Sequence, residues 1–203
     1  MPDSELPSQA CPVCGPGFAP FLQGRPPLWQ VWQALPRRRL PKGAELPGGS
    51  LWFVEQGLLR SYWLDAQGQE RNRGFHAELD WAGSLHDGAG AGAGAGELGL
   101  QALEPSELVE LPRAQLAQWQ QQDEVALALA RALGFHIEQL ARREASLLLE
   151  SATQRYQRLL AERPELLARV PQHQLASYLA ITPVALSRIR RRLRAAVPHS
   201  APP

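Results

Sequence analysis

Between Val170 and Arg194 the chain reads VPQHQLASYLAITPVALSRIRRRLR, and no other stretch restricts its fold as tightly. Pro171 suits the first turn of a helix, where its missing N–H leaves nothing unpaired. Leu175, Ala176 and Leu179 follow at helical spacing and define one apolar stripe. Ala180 and Ile181 lead into Thr182, a strong N-cap type, with Pro183 at the first helical position. In the second helix Leu186, Ile189 and Leu193 share one face, which predicts packing on the first helix. At about 100° per residue the opposite face carries Val184, Ser187, Arg188 and Arg191, flanked by Arg190, Arg192 and Arg194.

Two short helices, a tight turn and a basic second helix are the sequence pattern of a helix-turn-helix DNA reader. A recognition helix needs base-edge contacts from its exposed N-terminal half and phosphate contacts along its sides. Arg188 is the candidate for a base contact, because a guanidinium can hold the O6 and N7 of guanine with two hydrogen bonds. Ser187 is a candidate for a weaker polar contact and Val184 for a thymine methyl. Arg191 could reach a base or a phosphate. Gln172, Thr182, Arg190, Arg192 and Arg194 complete the candidate DNA-binding set. The plainer alternative is an amphipathic helix whose basic face is merely solvated.

Charge distribution favours a polyanionic partner at one end. The whole chain carries 21 Lys+Arg against 20 Asp+Glu, a net +1. From Glu150 to Ala195 there are nine arginines and three glutamates, or +6, so residues 1–149 carry −5. A basic module on an acidic body fits double-stranded DNA touching the C-terminal part alone.

At 203 residues with 44% hydrophobic content the chain can bury a core and is expected to form two small domains. No apolar run approaches the ~20 residues needed to cross a bilayer, and no signal-peptide core follows the start, so a soluble cytoplasmic protein without a membrane partner is expected. Residues 1–27 are rich in proline and glycine and read as loosely ordered. A short helix is predicted around Leu28–Leu35, followed by the basic Arg37-Arg38-Arg39. Leu51–Val54 and Leu58–Leu64 read as strands with Gly57 between them. Asp65-Ala66-Gln67-Gly68 reads as a hairpin turn and Gln69–Phe75 as the return strand. Leu98, Leu100 and Ala102 alternate, Glu104-Pro105-Ser106-Glu107 reads as a turn, and Leu108–Leu111 closes the region. Trp29, Trp32, Trp52, Trp63 and Trp81 are read as packing of this roll, some of them open to lining a pocket.

A helical stretch is predicted from about Pro112 through Glu150. Within it Ala126, Ala130, Leu133, Ile137, Leu140, Glu144 and Leu147 repeat at spacings of four and three, a heptad seam suited to a partner helix. Gly134 and Glu144 weaken that seam, and packing on the chain's own roll is the alternative. A homodimer is expected, since a helix-turn-helix usually works as a symmetric pair. Ser151 then reads as the N-cap of a helix through Tyr156, Leu159 and Leu160 that stops before Pro164.

This order of parts resembles the CRP/FNR family of bacterial transcription regulators. The resemblance is carried by LPKGAEL at 40–46, LWFVEQGLLRSYWLDAQGQE at 51–70, LEPSELVELPRAQL at 103–116 and RYQRLLAERPELLARVPQHQLASYLAITPVALSRIRRRL at 155–193. It covers roughly residues 28–194. It implies an α+β protein with an antiparallel, cyclic-nucleotide-binding-type β-roll (double-stranded β-helix) at 28–118 and a dimerisation helix at 119–150. An all-α helix-turn-helix domain at 151–197 would follow, and RNA polymerase becomes a further candidate partner. Nine residues follow Arg194, so a full C-terminal β-wing is not expected.

In members that bind cyclic AMP the phosphate sits at a Gly-Glu-Leu helix start with an arginine, then serine or threonine, soon after. Here the corresponding stretch is DWAGSLHDGAGAGAGAGELGLQALE at 80–104, and no arginine lies between Arg73 and Arg113. Gly96-Glu97-Leu98 falls where a later strand should begin and is read as coincidental. Without a cation a buried phosphodiester lacks its charge-assisted partner, so cyclic AMP is not expected. The Ala-Gly alternation from Gly88 to Gly96 reads as a flexible loop.

Cys11-Pro-Val-Cys14 is the one redox- or metal-like motif, and FNR-like members hold an iron–sulfur cluster with cysteines, usually four. Two thiols cannot close a four-thiolate site alone. An iron–sulfur or zinc site shared across a dimer, a disulfide switch and an incidental pair all remain open, and no resident cofactor is expected. Ser84, His86 and Asp87 lack a nucleophile-elbow context, so an enzyme is not expected. His76, Glu78 and Asp80 alternate as on a strand face, as metal ligands or, more simply, as a solvated edge. The favoured reading is a dimeric sequence-specific regulator with a degenerate or altered effector roll. The alternative is a small-molecule-binding or redox- or metal-sensing protein, working through the roll pocket or the cysteine pair.

Overall fold

The computed structural model describes residues 26–83 and 97–196. Cys11, Cys14, Ser84, His86, Asp87 and the Ala-Gly run from Gly88 to Gly96 lie outside the described residues. The chain divides into two compact units, Met1–Ala141 and Arg142–Pro203.

In the first unit helix α1 (Pro26–Ala34) precedes seven strands: β1 (Arg37–Leu40), β2 (Ser50–Gln56), β3 (Leu59–Leu64), β4 (Glu70–His76), β5 (Trp81–Gly83), β6 (Glu97–Ala102) and β7 (Ser106–Pro112). They form an antiparallel roll of two sheets, one ordered β1-β7-β2-β5 and the other β4-β3-β6. Helices α2 (Arg113–Trp119) and α3 (Asp123–Leu149) follow, and α3 continues into the second unit.

Strand alternation sorts the apolar residues of β2 and β7 into two cores. Trp52 and Val54 pack with Leu59, Leu100, Ala102 and Leu108 between the sheets. Phe53, Val109 and Leu111 point the other way, onto Leu28 and Trp32 of α1 and onto Leu116, Trp119 and Val125. There Trp32, Phe53 and Trp81 meet edge to face, with ring centroids 5.3 to 5.8 Å apart. The expected hairpin closes on Asp65, whose Oδ1 accepts from Gln67 N at 3.0 Å and Gln69 N at 2.8 Å. Gly57 turns β2 into β3 at φ +106°, and a Cβ there would lie 2.3 Å from Ser106 Oγ. That position requires glycine on both counts.

Three expectations change. The helix expected from Pro112 to Glu150 breaks over residues 120–122, because both Trp119 and Val125 are drawn into the α1 core and a straight helix does not bury both. The expected Glu104–Glu107 turn is shorter, since Ser106 already begins β7 and donates its hydroxyl to Glu104 O at 2.8 Å. His76, Glu78 and Asp80 do not share a strand face. The strand ends at His76, Leu79 takes φ +70°, Glu78 accepts from Gly57 N, and buried Asp80 accepts from Ala77 N. Among the described residues no group of three His, Cys, Asp or Glu side chains could hold a metal ion.

The second unit contains α4 (Ala152–Glu162), α5 (Leu166–Arg169), α6 (Gln172–Tyr178) and α7 (Pro183–Ala196). Ser151 caps α4 as its sequence suggests, in a full capping box with Gln154. Tyr156, Leu159, Leu166, Val170, Leu175, Ala176, Leu179, Leu186 and Ile189 form its buried set, whereas Leu160 stays at the surface. Among the described residues no helix is long and apolar enough to cross a membrane.

Candidate nucleic-acid interface

Helices α6 and α7 and the turn between them build the site from the predicted stretch. Pro171 sits one position before α6, and its carbonyl accepts from Gln174 N and Leu175 N. Leu175, Ala176 and Leu179 are buried against Leu186 and Ile189 of α7, with Leu193 half-buried. Burying five apolar side chains at about 1.5–3 kcal/mol per large one fixes α7 on α6 more firmly than helix propensity could. Thr182 caps α7, its Oγ1 accepting from Ala185 N at 3.2 Å.

The turn itself has a geometry that the sequence hides. Ala180 adopts φ +54°, in the left-handed region usually reserved for glycine. Ala180 N donates to Ser177 O and Ile181 N to Ala176 O, the two bonds of a Schellman ending. An alanine tolerates this at a cost of about 1–2 kcal/mol, so the surrounding packing must hold it there.

The opposite face of α7 is open. Val184 is 60% exposed, and Thr182, Ser187, Arg188, Arg191, Arg192 and Arg194 are exposed beside half-buried Arg190. Gln172 of α6 donates through Nε2 to Ser187 Oγ at 3.1 Å, which brings two candidate contacts onto one surface. Arg192 points elsewhere: its Nη2 donates to Thr153 Oγ1 at 2.7 Å and ties α7 to α4. Among the described residues Arg188, Arg190, Arg191 and Arg194 have no carboxylate partner. A row of uncompensated guanidiniums on a rigid helix suits a phosphate backbone with base edges between the strands.

Two further arginines, absent from the sequence reading, support this surface from behind. Arg143 of α3 donates from Nη2 to Tyr178 O at 2.9 Å and lies 4.0 Å from the Tyr178 ring centroid. Its burial pulls its pKa down from the ordinary guanidinium range, yet an arginine remains protonated in proteins. Arg155 of α4 donates from Nε to Leu179 O at 3.0 Å and from Nη1 to Glu150 O at 2.6 Å. Glu150 in turn accepts from Ser146 and pairs with Arg158.

The seam residues of α3 fall on a partly open face. Ile137 is 65% exposed, Ala130 and Glu144 are exposed, Leu140 and Leu147 are each 39% exposed, and Ala126 is half-buried. The side chain of Leu133 lies outside the described ones. Leu148, four residues after Glu144, continues the open line at 75% exposure and was not among the predicted seam residues.

With this geometry in view, no protein-family model and no curated protein matches the sequence. Solved structures do. FixK2 from Bradyrhizobium japonicum superposes with a TM-score of 0.68 at 20% identity, over 83% of this chain and 89% of that one. A transcriptional regulator of the CRP/FNR family from Eubacterium rectale gives 0.64 at 16% identity, over 82% of each chain. The c-di-GMP responsive global regulator CLP of Xanthomonas campestris gives 0.61 at 20% identity, over 83% and 90%. The fold is CRP/FNR-like. The α+β arrangement of antiparallel roll, long helix and helix-turn-helix expected from the sequence is therefore present in this CRP/FNR-like chain.

Proposed function

We propose that this chain is a dimeric, sequence-specific DNA-binding regulator of transcription acting in the cytoplasm, rather than an enzyme. The observation that carries the reading is the open face of α7, where Val184, Ser187, Arg188 and Arg191 stand over buried Leu186 and Ile189. Arg188 is assigned to a guanine and Val184 to a thymine methyl. Arg190, Arg191 and Arg194 are assigned chiefly to phosphates, with Gln172 and Ser187 acting as a hydrogen-bonded pair. Thr182 serves mainly as the cap that aims the helix, and Arg192 mainly as its strut to Thr153.

Dimerisation is assigned to α3 through Ala126, Ala130, Leu133, Ile137, Leu140, Glu144 and Leu147, extended to Leu148. Apolar side chains as exposed as Ile137 and Leu148 on a helix gain most from a second copy. A two-fold dimer reads a palindromic site with half-site centres ~34 Å apart. We assign no cyclic nucleotide to the roll. Arg60 is held inside the chain and no arginine lies between Arg73 and Arg113 to neutralise a phosphodiester. A small effector of other chemistry is compatible with this reading.

Titration of a labelled duplex of arbitrary sequence at several salt concentrations tests the surface. Binding should weaken linearly on logarithmic axes, with a slope of about −0.9 for each phosphate contacted. Absence of duplex binding at low salt would refute the reading. Sedimentation equilibrium tests the pairing, since Ile137→Asp with Leu148→Asp should leave a folded monomer.

A further inference from the structure

We infer that Arg143 is a positioning residue for DNA readout, clamping the end of α6 to the last turns of the long helix so that the recognition helix is presented at a fixed angle. The functional half of this inference rests on the DNA-binding reading; the structural half does not.

The end of α6 is where the orientation of α7 is set. The turn amides of Ala180 and Ile181 take Ser177 O and Ala176 O, and the two carbonyls that follow, at the negative end of the helix dipole, look to donors from outside the turn. Guanidiniums supplied by two other helices meet them. Arg143 reaches Tyr178 O and Arg155 reaches Leu179 O, both immediately before Ala180. Arg143 adds a second hold, its guanidinium carbon lying over the Tyr178 ring 4.0 Å from the centroid. Arg155 also grips Glu150 O, where the long helix ends, so three helices converge on two consecutive carbonyls.

The turn needs this support. Ala180 sits in a backbone region that an alanine leaves readily, and any relaxation of its φ swings α7 about the turn. Apolar packing of Leu186 and Ile189 resists separation of the helices but is not directional. A forked donor on Tyr178 O, with its stem fixed on α3, is directional. Arg143 therefore controls angle, and angle matters to base contacts far more than to phosphate attraction. Its loss should reduce discrimination between sites while leaving general duplex affinity little changed.

The test uses full-length Arg143→Ala and Arg143→Lys, with Arg142→Ala as a control that removes one positive charge from the exposed neighbouring position. Helical circular dichroism and sedimentation establish that each variant is folded. Amide hydrogen exchange is followed at Ala180 and Ile181, and affinity is measured for a selected duplex and for an unrelated one. In Arg143→Ala the two amides should exchange at least ~10-fold faster than in the parent, about 1.4 kcal/mol. The ratio of selected to unrelated affinity should fall by a similar factor, while Arg142→Ala lowers both affinities alike. Arg143→Lys keeps the charge without the fork and should fall between, which covers the case in which the alanine variant does not fold. Unchanged exchange at Ala180 and Ile181 in either variant would overturn the clamp. Faster exchange with an unchanged affinity ratio would overturn its role in readout. If the parent selects no site, the DNA reading fails, and exchange alone still decides the clamp.

Discussion

Arg60 and Arg188 belong to different units of one chain and have opposite surroundings. Arg60, on β3, is 3% exposed. Its Nε donates to Gln101 Oε1 at 2.8 Å, Nη1 to Asn72 Oδ1 at 3.2 Å, and Nη2 pairs with Glu70 Oε2 at 2.5 Å, with the Tyr62 ring beneath. Elsewhere in the roll, on the other sheet, Arg37, Arg38 and Arg39 face Glu55, Glu110 and Glu107. Arg188 stands exposed on α7 with no carboxylate partner among the described residues. Arginines neutralised within the chain report on how the roll is held together, and those left uncompensated point to an anion supplied from outside.

Substitutions should divide along the same line. Arg60→Ala removes a buried cation together with its bonds to Asn72 and Gln101 and its pairing with Glu70. It should destabilise the roll by about 2–3 kcal/mol, a figure reduced because Glu70 is half-exposed. Denaturant unfolding would measure this, and duplex affinity per folded molecule should not change. Arg188→Ala should do the reverse. Stability should stay within about 0.5 kcal/mol, while affinity for the preferred site falls by about 1–3 kcal/mol with relaxed choice at one base pair. A large stability loss in Arg188→Ala, or a binding loss in Arg60→Ala, would show that the two arginines do not divide structure from binding in this way.

Smaller effects are expected at the remaining positions of α7 and its turn. Arg191→Ala and Arg194→Ala should each weaken all duplexes alike and reduce the salt slope by about 1, as phosphate contacts do. If either instead changes base preference, that side chain reads sequence. Ala180→Gly should stabilise the second unit by up to about 1 kcal/mol, since glycine takes the left-handed turn without penalty but is more flexible when unfolded. Thermal unfolding would detect this as a raised Tm.

The division also explains what the sequence made legible. Local, periodic features could be read directly: the Leu175-Leu179 stripe, the Thr182 cap, the Ser151 cap and the Asp65 turn each involve residues within a few positions of one another. The break over residues 120–122 could not, because glutamines carry no turn signal and the cause is tertiary burial of Trp119. Arg60 gave no hint of burial, since the side chains that neutralise it are distant in sequence or on the return strand. Arg143 and Arg155 reach carbonyls 35 and 24 residues away, and a turn built on alanine conceals its left-handed geometry. Within the candidate site, the outward face of α7 was therefore predictable and the scaffold that aims it was not.

In the proposed function α7, presented twice by a dimer, reads DNA sequence. Selection of bound duplexes from a random library with the full-length chain, with and without cell extract, tests it most directly. Enrichment of an inverted repeat is expected, with half-sites one helical turn apart, about 10 base pairs between centres. No enriched sequence under either condition would contradict it.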